Sequence, residues 1–129
     1  MTLVKKRKIN GKRIVKIQKP KIKEDIHQPV NEVFLVGRVT SLAIERILPS
    51  GDKVVEFRVV IGREKSRGAK KEVDSLDIAA WSSKARKSAL SVKLGSWVEV
   101  TGSVRRRFWQ APTGLASRWQ VEASEVVRL

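Results

Sequence analysis

The chain of 129 residues carries 28 Lys and Arg against 13 Asp and Glu, a formal net charge of +15, with 41% hydrophobic residues. That is enough apolar material for one domain with a modest core, and the charge excess favours a polyanionic partner such as a nucleic acid or an anionic membrane, the alternative being a solvated basic surface. The absence of cysteine excludes disulfides, thiolate catalysis and Cys-ligated metals, and no apolar run is long enough to span a bilayer as a helix.

The charge is unevenly placed. Residues 1–29 hold ten basic and two acidic residues, more than half of the net charge, with isolated aliphatics punctuated by Pro20 and Pro29. This composition reads as a basic arm rather than a domain, with nucleic-acid binding its favoured role and a solubilising or inter-subunit tail the alternative. Asn10-Gly11 between β-branched residues is a hairpin signal, so the arm either pairs as a ribbon or stays disordered. Lys5-Lys6-Arg7-Lys8 is followed by no apolar signal-peptide core, which sets a cytoplasmic, reducing location as the expectation.

From Val30 the pattern turns to strands. Val33, Leu35, Gly37 and Val39 alternate with Phe34, Val36, Arg38 and Thr40, predicting a long first strand that runs to the turn Pro49-Ser50-Gly51-Asp52. Val54–Ile61 is the second strand, a polar basic loop covers 62–72, and the third strand runs from about Val73 to Trp81. Ser82 or Ser83 caps a short helix, with Ala85, Ala89, Leu90 and Leu94 near helical spacing and Gly95 as its end. The fourth strand spans about Trp97–Trp109 with a bulge or bend at Gly102; Ala111-Pro112-Thr113-Gly114 turns the chain into a fifth strand over about Arg118–Val127. Five strands with one short helix between the third and fourth, preceded by a basic N-terminal extension, predict an all-β, five-stranded OB-fold barrel over 30–129.

The stretch Gly95–Trp109 is the most informative. It sets Arg105, Arg106 and Arg107 directly beside Phe108 and Trp109, a combination suited to a ligand that is both anionic and flat, such as unstacked single-stranded nucleic acid. By strand parity Arg105, Arg107 and Trp109 share one face, and Val104, Arg106 and Phe108 the other. Trp119 shares a face with Val121 and Ala123 and reads as core, whereas Trp97, opposite in parity to Val98 and Val100, faces solvent, the helix or a partner.

Four segments in this order resemble the bacterial single-stranded DNA-binding protein family. They are Asn31-Glu32-Val33-Phe34-Leu35-Val36-Gly37-Arg38-Val39-Thr40, Pro49-Ser50-Gly51 with Val54 and Phe57, Asp77-Ile78-Ala79-Ala80-Trp81, and Gly95-Ser96-Trp97-Val98-Glu99-Val100-Thr101-Gly102. The resemblance implies an OB barrel that coats single-stranded DNA in replication, repair or recombination, assembled as a homo-oligomer with a tetramer favoured over a dimer. It places base-stacking aromatics at Trp109 and Trp81. Packing of Trp109 against a subunit or the arm, and of Trp81 into a core with Leu76, Ile78 and Ala80, are the competing readings. Arg38, Arg58, Arg63, Lys65, Lys70, Lys71, Arg105 and Arg107 are the candidate phosphate contacts; each alone reads equally as a solvated charge. The chain departs from the family pattern at Lys65 and Ser75, where the family has aromatics, and it ends at Leu129 without the acidic tail through which the family recruits replication and repair proteins.

Catalysis is not expected, nor a metal or cofactor. His27 is the single histidine, there is no phosphate-binding glycine loop, and Asp74 and Asp77 fall on opposite strand faces. Three rival readings remain at this level: a primosome-like adaptor of the same fold binding replication proteins, an RNA-binding OB protein, and a structural assembly module.

Overall fold

The computed structural model describes residues 7–9 and 12–14 as backbone, and residues 26–64 and 71–129 in full. It divides into two compact units, Met1–Val30 and Asn31–Leu129. In the first, β1 (Arg7–Ile9) and β2 (Lys12–Ile14) pair antiparallel with Ile9 opposite Lys12, the short connection that the Asn10-Gly11 signal anticipates; Asn10 and Gly11 themselves lie outside the described residues.

The second unit is an OB-fold barrel. Its strands are β3 (Val33–Val39), β4 (Ile44–Ile47), β5 (Lys53–Gly62), β6 (Val73–Ala80), β7 (Trp97–Ala111) and β8 (Gly114–Arg128), with the helix α1 (Ser83–Leu90) between β6 and β7. The order β3-β7-β8-β6-β5 closes on itself where β5 returns to β3, and β4 extends along β5. Every pairing is antiparallel except β6 with β8, where Ile78, Ala79 and Ala80 run beside Val121, Glu122 and Ala123.

Strand alternation fills the barrel. Val55, Phe57 and Val59 of β5, Ile78 and Ala80 of β6, Val98 and Val100 of β7, and Val121, Ala123 and Val126 of β8 form one buried cluster. Burial of each valine, isoleucine and phenylalanine side chain among them stabilises the fold by about 1.5–3 kcal/mol. Ala85 and Ala89, four apart on α1, present small side chains that let the helix sit close against the cluster. Ser82 is the N-cap, its hydroxyl accepting the Ala85 N–H at 3.1 Å.

Three expectations need correction. The long first strand is two: β3 breaks after Val39, Thr40 stays tied to β5 by its N–H on the Arg58 carbonyl at 2.9 Å, and β4 resumes the same edge four residues later. The helix ends at Leu90 with Ser91 as its C-cap, five positions before Gly95 is complete, and Leu90 and Leu94 face solvent rather than the core. The fifth strand begins at Gly114 rather than near Arg118, because the turn after Ala111 is tight and Ala111 pairs directly with Gly114.

Two glycines permit close backbone approach. A Cβ on Gly37 would lie 2.6 Å from the Val60 carbonyl oxygen, where β3 crosses onto β5. A Cβ on Gly102 would lie 2.0 Å from the Glu122 carbonyl oxygen. Gly102 sits at the anticipated bulge: the register between β7 and β8 shifts between Thr101 and Gly102, so that Thr101 faces Glu125 but Gly102 faces Ala123.

Candidate nucleic-acid interface

β7 and β8 are the longest strands, and their ends leave the barrel. Pairing of β7 with β3 stops at Gly102, and pairing of β8 with β6 covers only Val121–Ala123. From Arg105 opposite Gln120 to Ala111 opposite Gly114 the two strands pair with each other alone, as a ribbon about 20 Å long at ~3.4 Å per residue. Asn31 braces its base, its side-chain amide donating to the Val104 carbonyl at 2.8 Å and its amide oxygen accepting the Val104 N–H at 2.9 Å.

The outer face of β4, β5, β6 and the ribbon carries one connected polar network. Glu56 accepts Arg107 Nη1 at 3.1 Å and Gln120 Nε2 at 3.3 Å on one oxygen, and meets Arg46 Nε at 3.1 Å on the other. Asp77, two pairs along β5–β6, meets Arg58 Nε at 3.0 Å and Arg118 Nη1 at 3.4 Å. Arg107 and Arg118 are direct cross-strand partners, so the two clusters adjoin. Two like charges facing each other on a strand pair repel; here each is drawn to its own carboxylate. Above the network lie the rings. The Arg107 guanidinium is 5.8 Å from the centre of Trp81, and that of Arg118 is 5.9 Å from the centre of Trp109, within cation–π range. Trp109 is 40% exposed. Trp81 is half-buried beside a cleft lined by Phe34, Ser82, Gly102, Ser103 and Glu122.

The residues expected from sequence separate into three places. Trp81, Trp109, Arg58 and Arg107 belong to the network, and Arg105 stands on the same ribbon face with its Nε 3.8 Å from Glu122. Arg38 is elsewhere: it pairs across from Trp97, lies over that ring at 5.8 Å and donates to the Gly95 carbonyl. Arg63 closes the β5–β6 hairpin, bonded to Asp74 at 2.8 Å, and Lys71 is exposed at the same end. That bond holds the exposed Asp74 carboxyl below its usual range and raises Arg63, hydrogen bonding being the larger cause in both. The Asp74 contribution to folding is present at neutral pH and lost as pH falls through its lowered pKa. Lys65 and Lys70 lie outside the described residues.

Arg46, Glu56, Asp77, Arg118 and Gln120 were not among the expected site residues. The signal for Arg118 is in the sequence: a two-residue turn after Ala111 fixes the hairpin register and sets Arg118 opposite Arg107, on the face of Trp109. Trp119 corrects a further expectation. It has core parity but is 58% exposed, because the face it shares with Val121 continues past the end of the barrel. Trp97 is also exposed, at 52%, on the outer face with Phe34, Val36 and Val127. No helix among the described residues is long and apolar enough to cross a membrane.

Comparison with known proteins agrees with this architecture. The sequence profile of the Single-strand binding protein family matches residues 30–129. A Single-stranded DNA-binding protein of Streptococcus pneumoniae is 34% identical over 86 residues, covering 66% of this chain and 55% of the relative. The Single-stranded DNA-binding protein 3 of Streptococcus agalactiae is 30% identical over 86 residues, which is 62% of its length. The chain thus spans little more than half the length of these relatives. Among solved structures, a Plasmodium falciparum SSB complex with ssDNA superposes with a TM-score of 0.67 at 23% identity, covering 80% of this chain and 97% of that one. With the whole barrel inside the matched span, from β3 through the β7–β8 ribbon, the chain belongs to the single-strand binding protein family.

Proposed function

We propose that the barrel binds single-stranded DNA with little sequence preference, in replication, repair or recombination, by stacking bases on Trp109 and Trp81 while arginines meet the backbone. The observation that carries this reading is the placement of the two rings: each lies against an arginine, and the two arginines are cross-strand neighbours on one face. A π-face beside a cation suits a base and its phosphate and is indifferent to which base is offered. The proposal extends to a binding rather than catalytic role, to a cytoplasmic setting, and to the N-terminal unit with its ten basic residues as an added contact to the DNA backbone.

Self-association belongs to the same reading. Phe34, Val36, Trp97 and Val127 form an exposed apolar patch on the outer face of β3, β7 and β8, and the edge of β3 over 33–37 that faces away from β7 has no strand partner among the described residues. Both features suit a second copy.

Titration with a dT oligomer at low salt tests the proposal. Bound bases quench the tryptophan emission, and with about six phosphates neutralised log K falls against log salt with a slope of about −4. Unchanged emission together with no retained oligomer on a native gel would refute it.

The carboxylates make a second prediction. Glu56 and Asp77 occupy the guanidinium donors that phosphates would use. Glu56→Gln removes the charge and keeps a hydrogen-bonding amide for Arg107. It is expected to tighten DNA binding severalfold at low salt and to steepen the salt slope by about 0.7, one further phosphate contact. An unchanged slope in isothermal titrations across a salt series would show that Arg46 and Arg107 do not meet phosphate.

A further inference from the structure

The ribbon has a second face. Arg106, directly opposite Trp119, lies with its guanidinium 5.2 Å from the centre of that ring and 5.7 Å from the centre of Phe108. Its Nε and Nη2 donate to the Ser117 hydroxyl at 3.1 and 2.8 Å, which fixes the group between the rings. Both rings are 58% exposed, and Leu115 near the tip is 71% exposed.

The partners of Arg106 set it apart. Arg105, Arg107 and Arg118, on the other face, each meet a carboxylate. Arg106 meets none within ion-pair distance among the described residues; its hydrogen-bond acceptor is a neutral hydroxyl. From Arg105 to Trp119 inclusive the sequence contains four arginines, three aromatics and no acidic residue. An apolar partner covering this face would have to bury an uncompensated guanidinium, which is costly. A polyanion with flat bases neutralises the charge and covers the rings together.

We propose that this face, built from Arg106, Phe108 and Trp119, is a second single-stranded nucleic-acid contact, so that one strand is bound on both faces of the β7–β8 ribbon. The proposal rests on the reading of the barrel as a single-strand binder. On each face of the ribbon an arginine lies against an exposed ring, Arg118 with Trp109 on one and Arg106 with Trp119 on the other. The faces differ in their electrostatics: the first is partly self-neutralised by Glu56, Asp77 and Glu122, and the second carries a guanidinium with no carboxylate partner among the described residues.

The test compares the full chain with the double variant Phe108→Ala/Trp119→Ala, using dT oligomers of about 8 and about 30 nucleotides, a range set by the ~4–16 nucleotides that OB folds occupy. The double variant is expected to keep affinity for the short oligomer within about twofold, to lose roughly tenfold or more on the long one, and to occlude fewer nucleotides per chain. Arg106→Gln, which leaves both rings in place, is expected to flatten the salt slope for the long oligomer by about 0.7, and Arg106→Lys to restore it. Unchanged affinity and slope for the long oligomer, with the wild-type chain still binding, overturn this proposal alone. Failure of the wild-type chain to bind either oligomer overturns both readings. A shift in the solution mass of the DNA-free double variant, with long-oligomer affinity intact, overturns the proposal in favour of a surface that packs against a second copy.

Discussion

Replacing Trp81 and Trp109 together by alanine is expected to weaken binding of a short dT oligomer by between roughly 30-fold and on the order of 10⁴-fold. Each stacking platform contributes about 1–3 kcal/mol, and each 1.4 kcal/mol is a factor of ten. The two losses should not be additive. Trp81 lies against Arg107, Trp109 against Arg118, and these arginines are cross-strand partners tied to Glu56 and Asp77. Removing one ring frees its arginine to shift on its carboxylate and alters the support beneath the other, so a double-mutant cycle should yield a coupling of about 0.5 kcal/mol or more. Fluorescence anisotropy of a labelled oligomer reads the affinity, and thermal melting establishes that the barrel is intact. A loss of less than threefold in the double variant would remove stacking from the account and leave electrostatics to carry it.

Gly102→Ala is expected to cost about 2–4 kcal/mol of folding stability, a melting temperature lower by roughly 10–20 °C for a domain of this size. The added Cβ would sit 2.0 Å from the Glu122 carbonyl oxygen and 2.9 Å from its carbon, both main-chain atoms that cannot rotate away. Relief requires the bulge to open, which pulls Ala123 away from the core and unpairs β8 where it passes from β7 to β6. Gly62→Ala is the control. Its Cβ meets nothing within 4 Å, and it should melt within about 0.5 kcal/mol of the parent. Equal melting temperatures for the two variants would show that the bulge relaxes without resistance.

The legible parts of the fold are those set by neighbours in sequence. Val33–Val39 alternates with period two because one side of it faces the barrel, Ser82 caps because its hydroxyl reaches a donor three residues on, and Gly102 marks a bulge. What escaped depends on pairings between distant segments. Glu56 acquires meaning only when β5 lies two strands from β8, bringing Arg107 and Gln120, more than 50 residues away, to one carboxylate. Trp119 shows the limit of parity as a guide: alternation says which face a side chain takes, not whether anything covers that face. The break at 40–43 escaped for a similar reason. Thr40 is still bonded to β5, so local composition continues as strand while the pairing is interrupted.

The ring of strands is narrow at two places, β6 against β8 with three residue pairs and β3 against β5 with two. β3 reaches β5 through two residue pairs, Arg38 with Val60 and Val39 with Val59, whereas β7 and β8 pair along nearly their whole length. Local opening follows the fewest bonds, so the barrel behaves as a rolled sheet closed by a clasp, with Gly37 giving the clasp its tight fit. When the clasp parts, two backbone edges become available in the same instant, one on β3 and one on β5. Each is a template for the strand that has just left the other, and in a concentrated population that strand can come from a neighbouring copy. Reclosure between two chains in place of one would set the β3 edge of one copy against the β5 edge of another, joining the copies through the same residue pairs that close a single barrel.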